Sequence, residues 1–274
     1  NFEKYDSNSI YTSDEHTFVE ELNNLNLTIN DNSNIDAADV VYVEVHNGEQ
    51  LKGIQDYVDS NVENASDALK FNYALMGDIN ASDVENYEAI GTGSEFTGTF
   101  DGRGNLIIGL NVNATDKVNN KTNAGIFSTI GNGGTVKNVN IYSGNFTGTN
   151  TAGAVAGVNN GRIENVTGFG NTVTVTNANG NAGGIVGVNK GDKGNIITNE
   201  DGTITLEPAE NEQFATGIID VESIGSVIAE SNNAVAGGLV GTNDGALGNS
   251  YSDSAVTSTA GTSNGLGSVV GVNK

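Results

Sequence analysis

The residues best suited to acid–base or zinc chemistry are two histidines, His16 and His46, which lie far apart in the chain. Neither belongs to a His-Glu-x-x-His sequence, which would place two zinc ligands and a general base on one helix. The chain has no cysteine, so thiolate metal ligands and disulfides are excluded. The sequence therefore predicts no catalytic residue, no metal site and no cofactor.

The enzymatic alternative is a polysaccharide lyase or hydrolase, which needs clustered carboxylates and basic residues that meet an anionic sugar. Asp101 and Arg103 lie close together, but an Asp-Gly pair such as Asp101-Gly102 is also typical of a turn. Arg103 and Arg162 are the only arginines, so a polyuronate would meet few cations. A non-enzymatic protein is the favoured interpretation.

Several acidic residues in predicted turns, among them Asp192, Asp201 and Asp244, could hold calcium weakly. The Gly-Gly-x-Gly-x-Asp nonapeptide that forms calcium sites in β-rolls is missing from the sequence. We therefore predict no dedicated calcium site.

The charge of the chain limits its partners. It carries 34 acidic and 11 basic side chains, a net charge of −23. Nucleic acids and anionic membrane surfaces require clusters of Lys and Arg, so neither is an expected partner. No run approaches the roughly 18 apolar residues of a membrane span, so we expect no membrane insertion by this segment.

A glycine-rich motif recurs along the second half of the chain. Its complete copies are Ala152–Gly161, Ala182–Gly191 and Ala236–Gly245, a further copy ends at Lys274, and a divergent copy begins at Ala124. The leading glycines, residues 125, 153, 183, 237 and 267, are separated by steps of 28, 30, 54 and 30 residues. This regularity indicates a repeat architecture that starts near residue 123.

Short runs of Val, Ile and Thr between Gly and Asn predict strands joined by tight turns. One such coil cannot bury its apolar side chains alone, whereas neighbouring coils about 4.8 Å apart supply backbone partners and a shared core. Val155, Ile185, Leu239 and Val269 would then form one interior column, with Phe127 as its first member. We expect the recurring glycines to adopt positive φ at turns. The sequence thus predicts an all-β parallel β-helix, without revealing its handedness.

Asparagine recurs six residues after each complete leading glycine, at Asn159, Asn189, Asn243 and Asn273. A second series, Asn138, Asn165 and Asn249, ends a shorter piece of the repeat. Such residues could stack as side-chain amide ladders. They could equally be selected because Asn tolerates left-handed backbone conformation. The sequence leaves both explanations open.

The chain before the repeats divides into an acidic N-terminal segment, residues 1–47, and the start of the β-helix at residue 48. The N-terminal segment is predicted to hold a short helix near Thr12 to Leu25 and a strand at Val40–Val45. A second helix is predicted over Gly48–Val58, followed by strand near Phe71–Ile79. Coil stacking should be under way by Phe96–Leu110.

The long 54-residue step is either one coil with an insertion or two coils, one of them degraded. Residues 192–235, which include Pro208, Glu207, Glu210 and Glu212, are the predicted insertion. An insertion in a shaft is a natural place for a partner-binding loop. Neutral drift in a tolerant turn is the plainer alternative.

The Ala-Gly-Gly-(Leu/Ile)-Val-Gly-x-Asn motif resembles the GLUG repeat of bacterial surface proteins. The order of the segments at Glu49–Leu51, Tyr73–Ile79 and Phe96–Gly104 is also similar, so the resemblance covers roughly residues 48–274. Such repeats occur in filamentous-haemagglutinin-like adhesins and in the non-catalytic part of some immunoglobulin A proteases. The resemblance implies a β-helix, export to the bacterial cell surface and a role in attachment or display, and it supplies no catalytic residues.

From these observations we expect a non-enzymatic extracellular module of a bacterial adhesin, which forms part of a rod. A host-cell glycan or matrix protein is a candidate partner, bound through residues 192–235. Because the last copy stops at Lys274 without a cap, further coils of the same parent chain are a second expected partner.

Overall fold

The computed structural model describes residues 2–4, 22 and 41–274. Nearly all of the described regular structure is β, and parallel strands from successive repeats lie side by side. The predicted parallel β-helix is therefore confirmed. Each complete coil contributes strands to three sheets, here named faces A, B and C.

Face A contains the longest strands and all the strands of the early coils. Its members are β1 (Phe2–Lys4), β2 (Val41–Val45), β3 (Asn72–Leu75), β4 (Ile79–Asn80), β5 (Thr99–Asp101), β6 (Leu106–Ile108), β7 (Asn111–Ala114), β10 (Thr135–Tyr142), β11 (Asn145–Gly148), β14 (Arg162–Val175), β19 (Gly217–Ala229), β22 (Leu247–Gly248), β23 (Tyr251–Ser252) and β24 (Ala255–Ser258).

Faces B and C are narrow sheets that follow each other in every repeat. Face B comprises β8 (Asn123–Ala124), β12 (Thr151–Ala152), β15 (Asn181–Gly183), β20 (Val235–Gly237) and β25 (Gly265–Gly267). Face C comprises β9 (Phe127–Ile130), β13 (Ala156–Asn159), β16 (Val186–Asn189), β21 (Val240–Asn243) and β26 (Val270–Asn273). A separate antiparallel hairpin consists of β17 (Gly194–Thr198) and β18 (Ile204–Pro208).

Face A supplies one wall of the core through a column of aligned side chains. The register places these residues above one another from coil to coil: Val43, Tyr73, Phe100, Val136, Ile163, Ile218 and Leu247. All but Leu247 are fully or almost fully buried. Alternation along each strand therefore turns a set of short apolar runs into one continuous core.

The motif glycines allow faces B and C to approach each other closely. A Cβ on Gly187 would lie 2.7 Å from the Gly157 carbonyl oxygen and 2.9 Å from the Ala152 nitrogen. A Cβ on the leading glycine Gly183 would lie 2.0 Å from the Val186 carbonyl oxygen across the corner. Neither glycine has positive φ. The expectation that these glycines provide left-handed turns is therefore wrong, and they are required by steric proximity.

The asparagines that end the face C strands form a buried amide ladder. The side-chain nitrogen of Asn159 donates to Asn189 Oδ1 at 2.9 Å, Asn189 donates to Asn243 at 2.8 Å, and Asn243 donates to Asn273 at 2.8 Å. Each donor also reaches a backbone carbonyl 3.0–3.2 Å away. None of the four has positive φ. The ladder explanation holds for this series.

The second asparagine series combines both explanations. Asn138, Asn165 and Asn249 have φ of 53°, 51° and 42°, and Asp220 occupies the same position in its coil with φ 55°. The Asn165 side chain also donates to Asn138 Oδ1 at 2.8 Å, and Asn249 donates to Asp220. These residues bend face A while linking neighbouring coils.

The divergent first copy is one residue shorter at the corner between faces B and C. Ala124 lies opposite Ala152, but Phe127 lies opposite Ala156 rather than Val155. The assignment of Phe127 to the Val155 column is thus shifted by one position. Ile130 lies opposite Asn159, so an aliphatic side chain precedes the amide ladder in this copy.

The 54-residue step is one coil with an insertion. Strand β16 pairs directly with β21, and β14 pairs with β19 along almost their whole length. A Cβ on Gly191 would lie 2.5 Å from the Gly217 nitrogen, so the extra residues, 192–216, leave and rejoin the coil at one point. The range 192–235 predicted as an insertion therefore also contains β19, a strand of face A.

Two helical elements connect β2 to β3. Helix α1 (Gly48–Val58) begins at Asn47, whose side chain accepts a hydrogen bond from the Gln50 backbone nitrogen, and it buries Leu51 and Ile54. A 3₁₀ helix follows at Ala65–Lys70. The helix predicted near Thr12 to Leu25 lies outside the described residues, except for Leu22, which is buried.

Replacing Gly187 by Ala should destabilise the solenoid by an amount near the upper end of the roughly 1–3 kcal/mol that overpacking costs. The added methyl would meet backbone atoms of three strands, β12, β13 and β15, which are hydrogen-bonded within the stack. Chemical denaturation followed by circular dichroism measures the change. Gly261→Ala is the matched control, because a Cβ there meets nothing within 4 Å. Equal stability of the two variants would contradict the close packing of faces B and C.

Replacing Asn189 by Ala should cost about 1–3 kcal/mol, because it leaves the buried Asn243 Oδ1 without the donor that it has in the ladder. The variant removes the acceptor of Asn159 and the donor to Asn243, both within the buried ladder. Thermal and denaturant unfolding report the loss. The exposed Asn145 provides the control substitution Asn145→Ala. A loss no larger than that of the control would show that the ladder adds no stability.

Candidate functional site

The charged residues considered for catalysis, Asp101 and Arg103, lie at the end of β5, where the Asp101 side chain is almost fully buried. The Asp101 carboxylate accepts hydrogen bonds from the Arg103 backbone nitrogen at 2.9 Å and from Asn138 Nδ2 at 3.1 Å. Lys137 Nζ lies 3.8 Å from the same carboxylate. Arg103 has φ 52°, as expected for a turn residue. This arrangement supports a turn at Asp101–Arg103 rather than an acid–base pair.

His46 belongs to the first described coil and not to a catalytic cluster. Its Nε2 lies 2.8 Å from Glu44 Oε2, and the Glu44 side chain is almost fully buried. His16 lies outside the described residues.

Ser263 lies in a Gly-x-Ser-x-Gly sequence, Gly261–Gly265, which has the spacing of a hydrolase nucleophile. Here it connects β24 to β25 at the opposite end of the stack, rather than a strand to a helix.

The acidic residues considered for calcium lie in different turns. The Asp201 carboxylate accepts hydrogen bonds from the Thr203 hydroxyl at 2.6 Å and from its backbone nitrogen at 2.9 Å, and these bonds lower the pKa of Asp201. Asp192 and Asp244 are exposed elsewhere. Within residues 2–4, 22 and 41–274, three or more potential metal ligands do not come together. Asp201 therefore shapes the hairpin turn.

The insertion docks against the outer surface of face A. Leu206 of β18 packs with Ala215 and Ile219 in a small buried cluster, which Ile204 and Ala246 extend. The Ile196 side chain packs beside Gly248, since a Cβ on Gly248 would lie 2.9 Å from Ile196 Cδ1. At the base of the insertion, Lys193 forms an ion pair with Glu212 at 3.1 Å. The insertion is thus a packed appendage with a defined position.

Arg162 fixes the insertion to the coil. Its Nε lies 2.7 Å from Glu164 Oε2, and its Nη1 donates to the Leu206 carbonyl oxygen at 2.8 Å. Glu164 neighbours Arg162 on the same face of β14, so the sheet orients the guanidinium toward the hairpin. A fixed guanidinium presents its remaining donors in a set direction.

A cleft of about 370 Å³ opens between the insertion and face A. Its lining combines glycine backbone, hydroxyl, amide and charged groups with one aromatic ring: Gly133, Gly134, Thr135, Arg162, Leu206, Glu207, Pro208, Gln213, Phe214, Ala215 and Thr216. Concave sites with a few directed polar groups and an apolar surface are the usual form of small-ligand sites. This cleft is the candidate functional site.

The sequence indicated the insertion as a possible binding region but not the residues that complete the cleft. Gly133 and Phe214 are 81 positions apart in the chain, and three ring atoms of Phe214 lie 3.4–3.7 Å from where a Gly133 Cβ would be. The contact forms because the insertion lies beside the coil that contains β10, two strands away from β19 in face A. The pair Gly133-Gly134 does not single out this contact, because Gly-Gly pairs also occur at 183–184 and 237–238.

A second groove, of about 450 Å³, lies beside the early coils. It is lined by polar and acidic groups, with the largest ring, Tyr87, almost fully buried. The Tyr87 hydroxyl donates to the Ile126 carbonyl oxygen at 3.1 Å and so serves the fold. This groove has no exposed aromatic ring comparable to Phe214 in the cleft between the insertion and face A.

Comparisons with known proteins support the fold and give no family. No family model matches the chain, so the GLUG resemblance rests on the repeated residues alone. The chain is 38% identical over 99 residues to halomucin from Haloquadratum walsbyi, a match that covers 36% of this chain and 1% of halomucin. It therefore corresponds to a very small part of that protein.

A solved structure has a similar fold. It is that of a provisionally named immunoglobulin A1 protease from Bacteroides ovatus, with a TM-score of 0.57 and 18% sequence identity. The similarity covers 85% of this chain and 62% of that chain. At this identity the likeness shows a shared fold and carries no activity. None of the helices in the described ranges is long and apolar enough to cross a membrane.

Deleting residues 192–216, so that Gly191 joins Gly217, should leave the solenoid folded. Gly161 joins Arg162 directly at the equivalent point of the preceding coil, and the strands on either side of the insertion already pair with their neighbours. We expect an unchanged β-sheet circular dichroism spectrum and a melting temperature within a few degrees of the parent chain. Loss of the cooperative transition would show that the insertion is part of the coil core.

Proposed function

We propose that this chain is a non-enzymatic structural module of an extracellular surface protein, in which stacked coils present binding surfaces as part of an adhesin rod. The observation that carries this proposal is the unbroken stack of coils, joined by parallel strands, a common core and a buried amide ladder. In such a stack each added coil lengthens the rod by about one strand spacing.

The chemistry of the surface supports this role. The net charge of −23 keeps an extended surface soluble. The carboxylates suited to catalysis are engaged with neighbouring groups on face A. Similarity over 99 residues to halomucin agrees with a surface location.

A second function is favoured by the hairpin cleft: recognition of a ligand by the module itself. The insertion is held in place by Arg162 and by an apolar cluster, so the cleft is preformed. Preformed sites bind with little ordering cost, and loops fixed on a rigid scaffold often carry recognition. A host glycan or matrix protein is the candidate partner.

The display proposal is tested by labelling intact cells of the source organism with antibodies raised against this chain. We expect labelling without permeabilisation, and its removal by brief external proteolysis. The purified chain should release neither reducing sugar from a polysaccharide panel nor fragments from immunoglobulin A. Labelling that appears only after permeabilisation would contradict surface display, and reproducible turnover of a substrate would contradict a non-enzymatic role.

A further inference from the structure

The Phe214 ring is the aromatic side chain that lines the cleft. Three adjacent ring atoms, Cε2, Cζ and Cδ2, lie 3.4–3.7 Å from the position that a Cβ on Gly133 would occupy. One edge of the ring therefore lies beside Gly133. The side chain as a whole is still 43% exposed. An exposed ring next to polar groups provides both apolar contact and directional hydrogen bonding.

Polar groups with free hydrogen-bonding capacity surround this ring. In the part of the chain that the structure describes, the side chains of Gln213 and Glu207 make no hydrogen bond, and both line the cleft. Arg162 uses Nε, Nη2 and one Nη1 donor for its fixed contacts and keeps its remaining N–H donors. Donors and acceptors are therefore both present within one small concave surface, as hydroxyl recognition requires.

The charges of the cleft disfavour an anionic ligand. Arg162 is already paired with Glu164, and Lys193 at the base of the insertion is paired with Glu212. Among the described residues, Glu207 is the lining charge without an ion pair. A uronate or sialate would approach this carboxylate against a net charge of −23 on the chain.

We propose that the cleft binds a neutral pyranose of a glycan chain, stacked on Phe214 and hydrogen-bonded by Arg162, Glu207 and Gln213. This proposal rests on the ligand-recognition function proposed above and assigns it a substrate class. The ring takes the apolar C–H face of the sugar, while the amide, carboxylate and guanidinium take its hydroxyl groups. The volume of about 370 Å³ suits one or two sugar rings, and the open cleft lets the chain continue into solvent.

The experiment is a glycan array that pairs neutral oligosaccharides of glucose, galactose, mannose and N-acetylglucosamine with uronate and sialylated counterparts. The strongest neutral probe is then titrated calorimetrically into the parent chain, Phe214→Ala and Phe169→Ala. Phe169 is the matched control because its ring is 48% exposed but stacks on Tyr142, on face A outside the cleft. Melting temperatures of all three proteins are measured alongside.

We expect a neutral probe to bind, Phe214→Ala to weaken it roughly tenfold or more, and Phe169→Ala to leave it within about twofold. Binding of no neutral probe, a preference for the acidic counterparts, or equal effects of the two variants would each overturn the proposal. If Phe214→Ala lowers the melting temperature, Gln213→Ala replaces it as the test, with the same expected direction. Surface labelling of cells is independent of these outcomes, so display stands or falls separately.

Discussion

The backbones of faces B and C lie so close together that no side chain fits between them at the motif glycines. Gly183 and Gly187 face backbone atoms of neighbouring strands at distances that no Cβ could occupy. The large apolar side chains of the core come from face A, from face C and from the residues between faces B and C, such as Val155 and Ile185. At the other end of face C, Asn159 and Asn189 align for the ladder. The rest of the stack depends on this steric constraint.

Much of the fold could be predicted from the sequence, because stacking repeats the same residue at the same place. The glycine and asparagine series gave the parallel arrangement, and the structure confirms it. The reason for the glycines could not be read, since positive φ and close approach select the same residue. The two asparagine series look alike in the sequence, yet Asn189 serves a buried ladder while Asn138 bends the backbone. The first copy has one residue fewer between faces B and C, so Phe127 lies opposite Ala156 and not opposite Val155.

The candidate site was less accessible to sequence reasoning than the fold. The insertion was detectable by its length, but its end was not, because β19 lacks the glycine motif that marks other coil segments. Its pairing with β14 is set by alternating Ile and Val, a pattern shared with many exposed strands. The cleft itself joins Gly133 to Phe214 through a tertiary contact, which no local pattern encodes. The coils and the packed insertion together form the walls of this cleft.

Hydrogen exchange followed by mass spectrometry tests the central claim most directly, because it reports the stability of each segment in the intact chain. The account predicts slow, mutually similar exchange for the motif strands β13, β16 and β21, whose amides are bonded on both sides of the stack. It predicts much faster exchange for the hairpin β17–β18, whose two strands pair with each other and not with the stack. Equal protection of the hairpin and the motif strands, or early exchange of the motif strands, would contradict a solenoid held together at its glycine corner.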